Sequence, residues 1–390
     1  MRGQTFDQYT FSQIDDIGFL FWETGFVPDK IPLQQLLEAF SYMELGKTGI
    51  SVPAMIIGTS SLGNLYEARP YGHKLGLVLA ALECFPEGAV FDSAGKYGAG
   101  MALEVLGQAL FDLKVPKSKV LISNKLGWKR ASLSGSEPTF ERDVWRDLTH
   151  DAVQDISYQG ILACFEEGNE LLKGYESQLV SIHDPDEYLD LATSSEDYER
   201  RFEDILEGYA ALDELKQAGK VKAIGVGSKD WKVIRKIYQH FPLDWVMIAN
   251  SMTIYDHPVE LFEFMRLLEK EGVGIVNSAV FHSGFLVGGD YFDYQKMNKA
   301  DADTVKKYKW RASFFALCEG HAIDPAHACI QFALLLPGVN SLALNSTSMH
   351  RIRANAEFCT TPIPDSFWDA CKEQGLIAKY LSEFNLNQTR

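Results

Sequence analysis

The sequence predicts an α/β protein: a (β/α)8 (TIM) barrel entered through an N-terminal hairpin and a preceding extension. Three observations carry this. Eight short apolar runs recur along the chain, each followed by a loop and a helical pattern. The runs lack polar alternation, as strands buried on both faces do. Eight such pairs over about 300 residues have the size and rhythm of one closed barrel. The rival, a doubly wound sheet, lacks a GxGxxG after its first strand.

The elements follow in order. Residues 1–40 fall outside the rhythm and read as an extension, whose "FLFWETGFVP" is a contact for a partner or a second copy. "SYMELGKTGISVP" (41–53) reads as a hairpin turning at Lys47–Gly49, suited to plug the bottom of a barrel. The eight runs are 54–60, 89–94, 119–127, 178–186, 222–228, 245–251, 272–280 and 341–347. "MALEVLGQALFDL" and "YAALDELKQAGK" are amphipathic, the second ending in a glycine cap. "DPAHACIQFALLLPG" opens with Asp then Pro, a helix start. The long segment 130–172 reads as a functional loop with one helix, "GILACFEEGNELL". Residues 41–390 thus form one barrel domain, tail included.

Composition narrows the function classes. A net charge of −16 disfavours nucleic acid and anionic membranes. No run approaches the length needed to span a membrane, and the N-terminus lacks a basic start followed by an apolar run. The six cysteines are scattered without a CxxC pair, so they read as free thiols of a cytoplasmic, reducing compartment. "HAIDPAHAC" (321–329) holds three metal-ligand types, but Asp324 serves better as a helix cap and the His-x5-His spacing does not stack on one face, so no metal is expected.

Catalytic residues of such barrels sit at the C-terminal ends of strands. The second strand ends in Asp92 and leads to Tyr97, the third ends in Lys125 and the fourth in His183. Asn250 ends the sixth, and Asn277 and Ser278 the seventh. Singly, each of the first four has a structural explanation: a turn cap, a packed aromatic, a solvated charge, a residue before a helix. Together they make proton chemistry. A free phenol titrates near about 10. A neighbouring ammonium favours the phenolate, a carboxylate holds the ammonium, and a histidine hydrogen-bonds the oxygen that gains or loses the proton. The hydride partner must come from a cofactor.

The order Asp-x4-Tyr, then Lys, then His on this rhythm resembles the aldo-keto reductases, over residues 42–358. "GTSSLGN" (58–64) resembles the family's first-strand signature, "DSAGKYGAGMALEVLGQAL" its Asp–Tyr motif, "VLISNKLG" its lysine strand and "SIHDPD" its histidine. The resemblance implies Tyr97 as proton donor or acceptor, Lys125 lowering its pKa, Asp92 supporting Lys125, and His183 orienting substrate. "DISYQGI", "AALDELKQAGKVKAIGVGSKDW", "VFHSGFLVGG" and "DYFDY" resemble the subgroup of aldose 1-dehydrogenases acting on L-fucose and D-threo-aldoses.

The family cofactor is a nicotinamide dinucleotide. Ser and Thr ahead of a helix in "NSTSMHRIRAN" (345–355) are good caps, and a helix N-terminus suits a phosphate. By resemblance, Ser346, Arg351 and Asn355 clamp the adenosine end, Asn250 holds the carboxamide, and Gly58, Thr59, Asn277 and Ser278 complete the set. Asn345 stands where many NADPH users carry a lysine, which favours NAD over NADP. Asn277, with Phe281 nearby, stands where a stacking tyrosine is common.

The expected function is NAD(P)-dependent oxidation of the anomeric hydroxyl of a free aldose to a lactone. The alternatives are an NADPH-dependent aldehyde or ketone reductase and, from another class, a nucleotide-sensing subunit without turnover.

Overall fold

Two adjacent strands open the described part of the chain. The computed structural model describes residues 42–382 apart from 294 and 299, so the predicted extension and the end of the tail lie outside the described residues. Strands β1 (Tyr42–Glu44) and β2 (Ser51–Pro53) pair antiparallel. Leu45 N–H donates to Ile50 O at 2.8 Å, and Thr48 Oγ1 donates to Leu45 O at 2.7 Å, closing the turn where the sequence places it.

Eight parallel strands then close a barrel. They are β3 (Met55–Gly58), β4 (Ala89–Ala94), β5 (Val120–Leu126), β8 (Leu179–His183), β9 (Ala223–Ser228), β10 (Trp245–Ala249), β11 (Gly274–Ser278) and β14 (Val339–Asn345). Each lies within one expected run or extends it by at most two residues. Closure comes from β14 pairing with β3, Leu342 opposite Met55. The strands are buried along nearly their whole length because helices cover their outer face and side chains fill the interior. The Asp-then-Pro signal starts a helix, Pro325–Leu334, with Asp324 accepting from Ala326 N–H.

The hairpin plugs the barrel. Leu45, Ile50 and Val52 form one buried cluster with Ile56, Val90, Leu179, Ala223, Trp245, Met247 and Val276 from inside the strands. At about 25 cal/mol per Å² of apolar surface removed from water, each buried Leu, Ile, Val or Met side chain among them contributes roughly 1.5–3 kcal/mol.

One expectation needs correction. Segment 130–172 holds its helix (Tyr158–Leu171), but it also holds most of an antiparallel hairpin, β6 (Trp128–Ser132) with β7 (His150–Gln154). Those strands are half-buried and carry charged residues, so they lack the apolar run that marks the barrel strands. A smaller pair, β12 (Tyr291–Phe292) and β13 (Gln295–Lys296), lies in the loop after β11.

Candidate active site

The top of the barrel, where the strands end, gathers the predicted catalytic set. Asp92 lies on β4 opposite Ser123 of β5, and Ala94 lies opposite Lys125. Period-two alternation puts Ser123 and Lys125 on one face. Ser123 Oγ donates to Asp92 Oδ1 at 3.0 Å, and the Lys125 ammonium is clamped to Asp92 Oδ2. Both charged groups are 3% exposed. The lysine stem runs past β9, where a Cβ on Gly227 would sit 3.3 Å from Lys125 Cδ.

Tyr97 stands on the turn that follows. Gly98, at φ +60°, packs on Gly63: a Cβ there would lie 2.3 Å from Gly63 O, so a side chain would push this turn away. The half-buried Tyr97 ring has its centroid 4.8 Å from the Lys125 ammonium and meets the His183 ring edge-on at 5.5 Å. His183 ends β8 and is 3% exposed. Burial, and then the Lys125 and Lys96 ammoniums, hold its imidazole well below the usual histidine range, so it is neutral near pH 7. Its Nδ1 has no hydrogen-bond partner among the described residues.

An aromatic wall covers Tyr97. Phe140 and Trp145, from the segment between β6 and β7, are buried in a cluster with Ala99 and Ala152, against which Tyr97 and Trp128 pack. Trp145 lies 5.9 Å from the Tyr97 ring. The segment is strapped across the top: Tyr66 N–H donates to Val144 O at 2.7 Å, and Asn64 Nδ2 donates to Arg146 O at 2.9 Å.

The predicted cofactor set occupies the adjoining arc, on β10, β11, β14 and β3. Gly58 ends β3 beside Asn345, and Thr59 donates from both N–H and Oγ1 to Asp92 O at 3.0 Å. Asn250 follows β10 at φ +62°, donates its N–H to Ser278 O at 3.2 Å, and leaves its buried Oδ1 without a partner among the described residues. Asn277 donates Nδ2 to Met252 O at 2.8 Å and also leaves Oδ1 unpartnered. Ser278 Oγ donates to Ile248 O at 3.3 Å. Arg351 is exposed and Asn355 buried on the helix Met349–Thr360. The helix is capped by a serine ahead of it as expected, Ser348, which accepts from Arg351 N–H, and Ser346 Oγ accepts from Ser348 N–H at 3.1 Å. Two buried amide oxygens without partners among the described residues, and a helix start after the last barrel strand, fit a polar nucleotide.

Sequence reasoning missed Ser123, Lys96, Glu141 and Trp145. Ser123 was legible as the residue two before Lys125; the others were not. His327 Nε2 donates to Thr361 O at 2.7 Å, and the ring stacks on Phe358, a packing role.

Comparison with known proteins bears on the family and the fold. Residues 54–375 match the family model described as "Aldo/keto reductase family". A pyridoxal 4-dehydrogenase of Microbacterium luteolum is 30% identical over 356 residues, 88% of this chain and 99% of that protein. A D-threo-aldose 1-dehydrogenase of a Pseudomonas species is 27% identical over 340 residues, 84% of this chain and 96% of that protein. Among solved structures, an aldo-keto reductase, AKR11C1, from Bacillus halodurans has a TM-score of 0.63 at 19% identity, covering 87% of this chain and 97% of that one. That likeness speaks for the fold.

Proposed function

The chain belongs to the aldo/keto reductase family, and from that premise we propose that it oxidises the anomeric hydroxyl of a free aldose to a lactone with NAD. The observation that carries this is the clamped Lys125 ammonium 4.8 Å from the Tyr97 ring, with His183 edge-on at 5.5 Å. The D-threo-aldose relative, at 27% identity, supports the substrate class.

Each residue then has a task. Lys125 stabilises the Tyr97 phenolate, which takes the proton of the sugar hydroxyl. Asp92 and Ser123 fix Lys125, so the charge needs no rearrangement when the proton moves. His183, being neutral, hydrogen-bonds the same oxygen without competing for its proton. Asn250, Asn277, Ser278, Gly58 and Thr59 would hold the nicotinamide end, and Ser346, Arg351 and Asn355 the adenosine end. The bound dinucleotide supplies a hydride acceptor for C1. Asn345, with Oδ1 accepting from Ser61 N–H at 3.3 Å, adds no cation for a 2′-phosphate, which supports NAD over NADP. The free cysteines suit a reducing, cytoplasmic setting.

A second reading has its own observation. The wall of Trp145, Trp128 and Phe140 beside Tyr97 suits a flat ring, and the 30% relative is named for pyridoxal, an aromatic aldehyde. The same four groups serve reduction in reverse. One assay separates these: absorbance at 340 nm with NAD or NADP against L-fucose, D-arabinose and pyridoxal, then NADPH with simple aldehydes. Reduced cofactor formed with a sugar supports the proposal. Reduced cofactor formed with pyridoxal alone replaces the sugar by an aromatic aldehyde, NADPH consumed by aldehydes alone replaces the proposal with the reductase, and tight nucleotide binding without any turnover replaces it with a sensor.

A further inference from the structure

Lys96, immediately before Tyr97, has its ammonium sealed in the top face and is 3% exposed. Two other loops reach it. Glu141 Oε1 lies at 2.9 Å, from the segment between β6 and β7. Glu187 Oε2 lies at 2.7 Å and Asp184 Oδ2 at 3.5 Å, both from the stretch after β8. The ammonium also lies 5.2 Å from the Trp128 ring centroid. Burial alone would push this ammonium down, but the carboxylates of Asp184, Glu141 and Glu187 more than reverse it, so the group stays charged.

Both arms end on the proton-handling groups. Glu141 uses its second oxygen to accept from Trp145 Nε1 at 2.6 Å, and Trp145 packs on the Tyr97 ring. Asp184 follows His183 directly, and its carboxylate lies 3.5 Å from His183 Nε2. Glu141 and Asp184 sit at φ +41° and +45°, a conformation that non-glycine residues keep only where their surroundings over-determine it.

We propose that Lys96 is a positioning residue: it locks Trp145 against Tyr97 and the Asp184 turn beside His183, so that the substrate side of the site has one fixed width. This rests on the reading of Tyr97 as the acid–base, and it adds a determinant of substrate fit that touches no reacting atom.

The test compares Lys96→Met, Lys96→Arg and Glu141→Gln by two readouts. The first is trypsin cleavage after Arg142 and Arg146, followed by mass spectrometry without substrate or cofactor. Lys96→Met is expected to be cut there about ten-fold faster, because local opening follows loss of local contacts. The second is steady-state kinetics on whichever substrate turns over. Lys96→Met is expected to raise KM about ten-fold with kcat within about three-fold, as lost fit without lost chemistry does. Lys96→Arg should recover most of both, and Glu141→Gln should show the same pattern more weakly. Wild-type cleavage and KM in Lys96→Met would overturn the proposal, and so would a Lys96→Arg variant as impaired as Lys96→Met. Should Lys96→Met not fold, Glu141→Gln decides: faster cleavage with raised KM supports it, neither overturns it. A wild-type protein that turns nothing over sinks the proposed reaction, and the cleavage rates alone then decide whether Lys96 locks the loop.

Discussion

The two arcs of the top face differ in where they place charge. On the arc carrying Tyr97, charges are matched within the protein: Lys125 with Asp92, Lys96 with three carboxylates, Lys229 with Glu187. On the arc of β10, β11 and β14 the predicted set is amides and hydroxyls, with Asn250 and Asn277 each leaving a buried oxygen without a partner among the described residues, just as His183 Nδ1 is without one on the first arc, and its one cation, Arg351, is exposed. The difference follows from what each arc must do. A group that moves a proton works best when its surroundings are fixed beforehand. A group that holds a ligand must keep hydrogen-bonding capacity for it, at some cost to the empty protein.

The contrast can be broken from either side, and the largest effect should come from the chemistry. Tyr97→Phe is expected to lower kcat about 10³-fold or more, in line with the loss of a general acid–base, while nucleotide affinity measured by calorimetry stays near wild type. Comparable turnover in that variant would remove the tyrosine from the reaction. Next, Lys125→Met leaves the Asp92 carboxylate buried without its cation, which costs about 3–5 kcal/mol for such a pair. Thermal denaturation should show a clear drop in Tm, and an unchanged Tm would mean the pair is not structurally fixed. On the other arc, Asn250→Gly keeps the positive φ and deletes the amide. It should weaken nucleotide binding about ten-fold, by a lost hydrogen bond, with Tm nearly unmoved. A Tm loss without an affinity loss would make Asn250 an ordinary structural residue.

The smallest effect is in pH. His183 is held below its unfolded value of about 6.5, so its share of stability is full above that pH and declines as pH falls below it, by up to about 1.4 kcal/mol per unit. His257 and His327 are lowered too, by burial first, and act in the same direction. Denaturant midpoints should therefore hold above pH 7 and fall towards pH 5. His183→Gln should make that fall shallower, and an identical slope would place the histidine's charge change elsewhere.

Legibility followed the range of the forces involved. The eight barrel strands are buried on both faces, so their composition alone marks them, and the turn at Lys47–Gly49 is local chemistry. Asp92, Tyr97, Lys125 and His183 could be named because each falls where a strand ends. Hairpin β6–β7 was hidden because "WKRAS" and "HDAVQ" mix charge with half-burial. Lys96 reads like any surface lysine, since what buries its charge lies far along the chain, Glu187 being 91 residues away. Ser346 and Ser348 differ as caps only by where the backbone turns, a distinction of two residues that pattern does not make.

The plug at the bottom of the barrel has a consequence for the order of folding. Asn340 Nδ2 donates to Glu44 O at 2.9 Å across 296 residues of sequence, and Lys47 N–H donates to Gly272 O at 2.9 Å. The first hairpin therefore has its partners at the far end of the polypeptide. Contacts of such separation form late, because the intervening chain must first be brought into place. During synthesis from the N-terminus, Leu45, Ile50 and Val52 can pack early on Ile56 and Val90, but their contacts with Trp245, Met247 and Val276 form only after those strands have emerged, so the plug is completed late.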